Sequence, residues 1–468
     1  MSLARELAAR ASALRFEALP DAVLHWARVG ILDTVGVTLA GCGAVDAAAR
    51  IVERAVGHAP GPSLIFGTRR RVAPLDAALV NGTASHALDF DDCSNTMCGH
   101  PSVPVLPALF ALADRDGATG REFVTAYVAG VETECAIARG AGLAQYTHGL
   151  HPTSTLGVFG AAAAASHLLR LDAARATTAL AIAASFASGI KANFGTMTKP
   201  VHVGHCARNG LLAALLAREG LTANPEAFEH PQGYLELFNG EGRFDRAAMI
   251  EPWGAPFDLE RPALAIKQYP CCASTHPAID ALLEIVRQHD IGAADVARID
   301  AWIHERRLRH TNRPDPASAL DAKFSVQYCL ARAIVDRSVR VEHFESDAVK
   351  DERVRALLPR IHAAPYTTGQ FPADNHFAGA VKLATGDGRV FEARVDQALG
   401  RSAERPLPEA LLAEKFQGCA MRVMPAEDAR RVREAIVHIE QLQDARTITA
   451  LLEGGSEQPV RTAESAPS

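Results

Sequence analysis

Two runs near the middle of the chain, TLGVFGAAAAASHLLRL and AARATTALAIAASFASG, are built almost wholly of alanine, glycine and other small or aliphatic residues. Alanine is the best helix former, and a helix with few bulky side chains lets its neighbours approach closely. The composition extends this bias: 48% of residues are hydrophobic but only 6% are aromatic. Alanine, leucine and valine must therefore fill the interior, which predicts a mainly α fold rather than an aromatic-rich β-sandwich. At 468 residues the chain has room for two to four ordinary domains.

Residues 1–265 read as helix after helix and are assigned to the first part of a large all-helical domain. DAVLHWARVGILDTVGVTLAG, from Asp21 to a stop at Gly41, and REFVTAYVAGVETECAIARG, residues 121–140, carry helical apolar spacing. The texture changes after Pro262, and residues 266–400 read as a smaller α+β lid domain. There VARIDAWIHERRLR (296–309) alternates as a strand does. FAGAVKLATGDGRVFEARV (377–395) predicts a hairpin turning at Gly386-Asp387-Gly388. Helices are expected at 276–289 and 324–338. Residues 401–453 return to helix, and 454–468 are polar enough to predict a disordered tail.

With 48 basic and 54 acidic residues the net charge is −6, which argues against a generally cationic nucleic-acid binder. No uncharged stretch predicts a membrane span, and the charged N-terminus lacks the apolar centre of a signal peptide. Nine cysteines without a CxxC or a zinc spacing fit a reducing, cytoplasmic setting. No Walker A, HExxH or GxSxG motif occurs, and GCGAVD at 41–46 is only a near miss to a dinucleotide loop. Chemistry is thus expected from side chains alone, with no cofactor and no metal.

Four polar segments, each abutting an apolar helix, are candidates for it. In NGTASHALDFDDCSNTMCGHPSVPVLP (81–107), a helix over 84–92 would put His86, Asp89 and Cys93 on one face. The crowded carboxylates of Asp89, Asp91 and Asp92 should raise one another's proton affinity unless cations approach, which suits a general acid or base. A solvated acidic helix end is the structural alternative. In THGLHPTSTLGVFG, His151 precedes a Ser/Thr cluster able to cap the next helix. In KANFGTMTKPVHVGHCARNG, Lys199 lies in a loop entering a helix near Gly204, and loop amides with a lysine suit a carboxylate. His202 and His205, at i and i+3, have metal-ligand spacing but no third ligand. In IKQYPCCASTHPAID, Lys267 and His276 flank Cys271 and Cys272, which are either reactive or simply buried.

These segments, with LDTVGVTLAG and KFSVQYCLA, resemble the MmgE/PrpD family in order and spacing from about Leu32 to about residue 420. That family includes 2-methylcitrate dehydratase, cis-aconitate decarboxylase and iminodisuccinate epimerase. The resemblance implies a homodimeric enzyme with its site in the cleft between a helical domain and a lid, needing neither metal nor organic cofactor. It places the shared polar set on Asp89, His100, His151, Lys199 and Lys267. Cys93 stands where the decarboxylase-type pattern has threonine and Cys272 where it has histidine, while His310 lies near its tyrosine.

The implied reaction is proton transfer at the carbon α to a carboxylate of a small di- or tricarboxylate, through an enolate-like state that cations must stabilise. Asp89, His100, His151 and Lys199 are the expected catalytic residues. Lys267, Cys93, Cys272, His276 and His310 are expected to line the substrate. His151 or Asp89 would move the proton, and His100 would protonate a leaving hydroxyl. A 2-methylcitrate-dehydratase-like lyase is the leading expectation. Epimerisation of an iminodisuccinate-like compound or decarboxylation of a cis-aconitate-like one are the alternatives. A non-catalytic helical carboxylate-binding protein and a Schiff-base enzyme using Lys199 are the competing classes.

Overall fold

The computed structural model describes residues 1–43, 47–56, 58–345, 347–372 and 375–454. Apart from Gly454, the tail expected at 454–468 lies outside these residues, as does the end of GCGAVD. Gly454 itself is ordered, its amide directed at the carbonyl of Thr68 at 3.3 Å.

The chain is mainly α and divides into two compact units. The first comprises Met1–Ala87, Asp91–Leu264 and the chain from Leu412; the second comprises Leu88–Phe90 and Ala265–Leu411. In the first unit the long helices are Asp21–Gly43, Pro74–His86, Ser102–Asp116, Gly120–Ala141, Gly157–Leu168, Ala173–Phe186 and Thr198–Arg218. Asp21–Gly43 runs two residues past the expected stop. It is long and apolar enough to cross a membrane, and 72% of its apolar window is buried within the fold.

The small-residue composition acts where these helices touch. Pro74–His86 packs on Thr198–Arg218 so closely that a Cβ added to Gly204 would collide with the carbonyl of Leu79 and the hydroxyl of Thr83. Gly210 of the same helix packs likewise on Ala161 of Gly157–Leu168. Backbone-to-backbone contact replaces large side chains as the filler of the core. The first unit is not all-helical, however. Its strands β1 (Pro60–Leu64) and β2 (Arg71–Val72) form an antiparallel ribbon, a pair too short to show a period-two pattern in the sequence.

The second unit carries a four-stranded sheet. Its strands are β3 (Val296–Ile303), β4 (Ile361–Pro365), β5 (Gly379–Thr385) and β6 (Val390–Val395), in the order β4-β3-β5-β6. β3 pairs parallel with β4 and antiparallel with β5, and β5–β6 is the hairpin foreseen from its turn residues. The helix His276–His289 packs on β5 and β6, and Val326–Val335 packs near β4. Their core is aliphatic, including Ile279, Leu282, Ile299, Val326, Leu330 and Leu383. The alternation read over 296–309 stops at Ile303. His304 then caps a helix, Glu305–Thr311, by accepting from the Arg306 amide at 3.1 Å.

Candidate active site

The helix expected over 84–92 does not form. Pro74–His86 ends at His86, and the chain turns through a left-handed conformation at Asp89, φ 52°. Asp tolerates this better than most residues because its short side chain bonds locally. The loop that follows is closed by the amide of Ser94 donating to Gly99 at 2.9 Å, and by Met97 N donating to Ser94 Oγ at 3.0 Å.

This loop assembles a buried charge cluster in the first unit. Asp91 Oδ2 sits between two imidazoles, 2.8 Å from His86 Nδ1 and 2.9 Å from His100 Nδ1. His100 Nδ1 is also 2.6 Å from the carbonyl of Asp92 and 3.7 Å from Cys93 Sγ. Burial works against a charge on Asp91, yet His100 and His86 outweigh it and hold its carboxyl well below the usual carboxylate range. Burial likewise works against a charge on His100, but Asp91 and Cys93 overcome it and raise His100 from 6.5 to about 10. The adjoining Asp92 behaves oppositely. Burial first, then the negative charge of Asp33, push it well above its ordinary value, and Ser102 Oγ donates to it. Ser102 Oγ in turn lies 2.6 Å from Tyr127 Oη. Asp92 is thus raised by burial and Asp33 more than by the expected crowding with Asp89 and Asp91, while Asp91 is held ionised chiefly by cationic His100.

His151 enters this cluster from another loop. Its amide donates to Gly189 O at 3.0 Å, and it precedes the short helix Pro152–Thr155. The Ser/Thr cluster does not cap the next helix, since Thr155 Oγ1 donates to Gln145 at 2.7 Å and Ser154 Oγ to the carbonyl of His202 at 3.0 Å. The His151 ring lies 5.6 Å from His86, 4.9 Å from Phe194 and 5.5 Å from His202, centroid to centroid. His151 Nδ1 and His202 Nδ1 are 3.2 Å apart, with one nitrogen donating to the other. Burial, then the charges of His86, Lys199 and His202, drive His151 well below 6.5, so it is neutral. His86 is lowered to about 3, mainly by burial, with Asp91 opposing.

Lys199 is not in a loop: the helix Thr198–Arg218 begins before it, and the following proline fits because the first turn needs no amide donor there. The Lys199 side chain is buried, its Nζ 5.2 Å from the centre of the Phe194 ring. His202 and His205 do not converge as metal ligands would. His202 meets His151, whereas His205 Nδ1 lies 3.3 Å from Ser188 Oγ and 3.3 Å from Asn209 Nδ2.

In the second unit, Asp89 and Lys267 meet: Lys267 Nζ is 3.2 Å from Asp89 Oδ1 and donates to Asp89 O at 2.7 Å. Lys323, not singled out from the sequence, is buried and donates to Leu88 O at 2.7 Å and Pro270 O at 2.9 Å. Burial, opposed by Asp89, brings it down to about 8. Cys272 Sγ lies 3.6 Å from His310 Nε2. His276 is buried, with Nε2 3.3 Å from the carbonyl of Cys271 and its ring edge-on to Tyr269. The sequence-derived residues thus gather in two sets, His100, His151, Lys199 and Cys93 in the first unit and Asp89, Lys267, Cys272, His276 and His310 in the second. His86, Asp91, His202 and Lys323 complete them. The motif NGTASHALDFDD contained the first two, but their partnership depends on how the loop after Asp89 folds back.

Family models for the MmgE/PrpD N-terminal domain and the MmgE/PrpD C-terminal domain match residues 5–247 and 269–441. The chain is 32% identical to the cis-aconitate decarboxylase of Homo sapiens over 411 residues, 85% of this chain and 82% of that one. It is 29% identical to that of Mus musculus over 477 residues, 98% and 94% of the two chains. Against the cis-aconitate decarboxylase of Aspergillus terreus (strain NIH 2624 / FGSC A1156) it is 27% identical over 477 residues, 95% and 94% of the two.

Proposed function

The chain belongs to the MmgE/PrpD family and is an enzyme of its lyase type, and on that premise we propose that it cleaves a bond beside a carboxylate of a small di- or tricarboxylate. Loss of CO₂ from a cis-aconitate-like acid is the first reading, because the relatives that match over most of their length carry that activity. One structural observation supports the chemistry: in one buried cluster His100 Nδ1 lies 2.9 Å from Asp91, which favours its cationic form, while His151 packs among other histidines and burial favours its neutral form.

In decarboxylation the electron pair of the breaking C–C bond passes into a system conjugated with a remaining carboxylate. A nearby cation must stabilise that enolate-like charge, and an acid must deliver a proton to carbon. Lys199 is the candidate cation and His100 the candidate acid. His100 donates one proton and recovers it from solvent, and Asp91 keeps the imidazolium favoured between turnovers. Decarboxylation releases no proton, so the neutral His151, in contact with His202, takes none in this reading.

The same pair favours a second reading, dehydration of a 2-methylcitrate-like acid. Elimination of water needs a neutral base for the α-proton and an acid for the leaving hydroxyl at once. His151 and His100 supply both.

Proton NMR in D₂O separates the readings, with cis-aconitate, 2-methylcitrate, citrate and iminodisuccinate as the panel. Decarboxylation gives a new alkene with loss of CO₂, and dehydration gives an alkene with all carbons retained. Deuterium uptake without net change would indicate epimerisation instead. Silence across the panel, with wild type indistinguishable from Lys199→Ala, would refute the proposal for these substrates.

A further inference from the structure

A cysteine–histidine pair in the second unit, expected to line the substrate, carries no step of the reaction proposed above. Cys272 is clamped on both sides of its Cα: its amide donates to Lys323 O at 2.9 Å, and its carbonyl accepts from Thr275 N and Thr275 Oγ1, each at 2.9 Å. The thiol is thereby held toward His310 of the helix Glu305–Thr311, with Sγ 3.6 Å from Nε2 and Ser274 Oγ 3.5 Å from the same nitrogen. Of the nine cysteines only Cys98 and Cys272 are partly exposed; Cys271 next door is fully buried, its Sγ 3.2 Å from Thr275 Oγ1. Burial pushes the Cys272 thiol up, but the hydrogen bond and charge of His310 outweigh it. Asp89 opposes and Lys267 assists, and the thiol comes down from 9.0 to about 7.

We infer that Cys272, with His310 as its proton carrier, is a nucleophilic thiol that adds covalently to α,β-unsaturated carboxylates. The nucleophile follows from the pair and its fixed backbone. The ligand class rests on the lyase reading, since cleavage beside a carboxylate takes in or releases an alkene conjugated with one. In the step, His310 Nε2 takes the thiol proton and Sγ forms a bond to the β-carbon. The π pair moves to the α-carbon as an enolate, and the proton passes from His310 to that carbon. The acid adds whole, so the protein gains its full mass and no oxidant or reductant is required.

Intact-protein mass spectrometry with peptide mapping tests this on the full chain. Cis-aconitate and maleate serve as unsaturated acids and iodoacetamide as a thiol probe without a carboxylate. We expect one equivalent of acid on Cys272, no adduct in Cys272→Ser and an unchanged adduct in Cys98→Ser. In His310→Ala the adduct should form about fivefold more slowly. At pH 7 a larger thiolate fraction gives the paired thiol roughly fiftyfold over an ordinary thiol, more with burial acting alone, and the lower nucleophilicity of a more acidic thiol removes most of it. Iodoacetamide reaching Cys272 while both acids fail would overturn the ligand class. Labelling at Cys98 instead, or an unchanged rate in His310→Ala, would overturn the pair. The readout is protein mass, not turnover. An enzyme that turns over none of the acids before any mass is gained, yet gains the acid, would refute the lyase reading alone, and an active one that never gains mass would refute this inference alone.

Discussion

The two units reach a polar interior by different routes. In the first, alanine- and glycine-rich helices meet backbone to backbone, and the charges buried among them are settled against one another: Asp91 against His100, Asp33 against Lys415 at 2.6 Å. In the second, a sheet covered by helices supplies an aliphatic core, and its buried lysines are satisfied largely by carbonyls of Leu88, Asp89 and Pro270. A charge held by another charge has its protonation state fixed. A lysine held by neutral carbonyls is free to drop toward the physiological range, as Lys323 does. The first cluster is therefore the one we propose for the proton transfers of the lyase reaction.

The largest expected break in that contrast is Asp91→Asn. Without the carboxylate His100 loses what keeps it cationic, and kcat should fall by about 10²–10⁴-fold. The neutral histidine then loses its hydrogen-bond partner, which should also lower stability by about 1–3 kcal/mol, measured by denaturant unfolding. Next comes one substitution made in both units. Gly204→Ala drives a Cβ into the Leu79 carbonyl and Thr83, and we expect a loss of about 1–3 kcal/mol. Gly386→Ala, in a hairpin turn where nothing lies within 4 Å, should stay within about 0.5 kcal/mol of wild type. Equal losses would mean that the close helix contacts do not distinguish the units. Lys323→Met strands carbonyls in the second unit, at an expected cost of about 1–3 kcal/mol, with a smaller effect on kcat than Asp91→Asn.

The pH dependence sharpens the same comparison. The folded value of His100 is raised above its ordinary 6.5 to about 10, so its contribution to stability is complete below 6.5 and is lost as pH rises through about 10. His151 is lowered, so the unfolded chain binds the extra proton and stability declines as pH falls below 6.5. Activity that needs His100 charged and His151 neutral should therefore be flat from 6.5 to about 9, without a limb near 6.5. A pH–rate profile checks this.

Much of this was legible along the chain, and its limits have physical causes. The helix His276–His289 and the β5–β6 hairpin follow from periodicity and turn residues, which are local signals. The α-helical reading of 84–92 failed because Asp89 adopts a left-handed conformation that its own residue type permits but does not announce. Gly195, Thr196 and Pro200 make Lys199 read as a loop residue, yet a proline in the first helical turn breaks nothing. β4 escaped notice because IHAAP lacks alternation and gains its place only by parallel pairing with a strand some sixty residues away. The candidate residues could be named from the sequence, but not their protonation states. Those depend on burial and on partners such as Asp91 and His86, which meet only once the loop closes.

The most direct measurement is a ¹⁵N-histidine NMR titration of the wild-type chain, with His100→Asn and His151→Asn used to assign the two rings. We expect the His100 nitrogens to keep imidazolium shifts past pH 8 and to titrate near 10, while the His151 nitrogens stay neutral below pH 6. Two rings titrating together near 6.5 would contradict a cluster that holds one histidine as acid and the other as base.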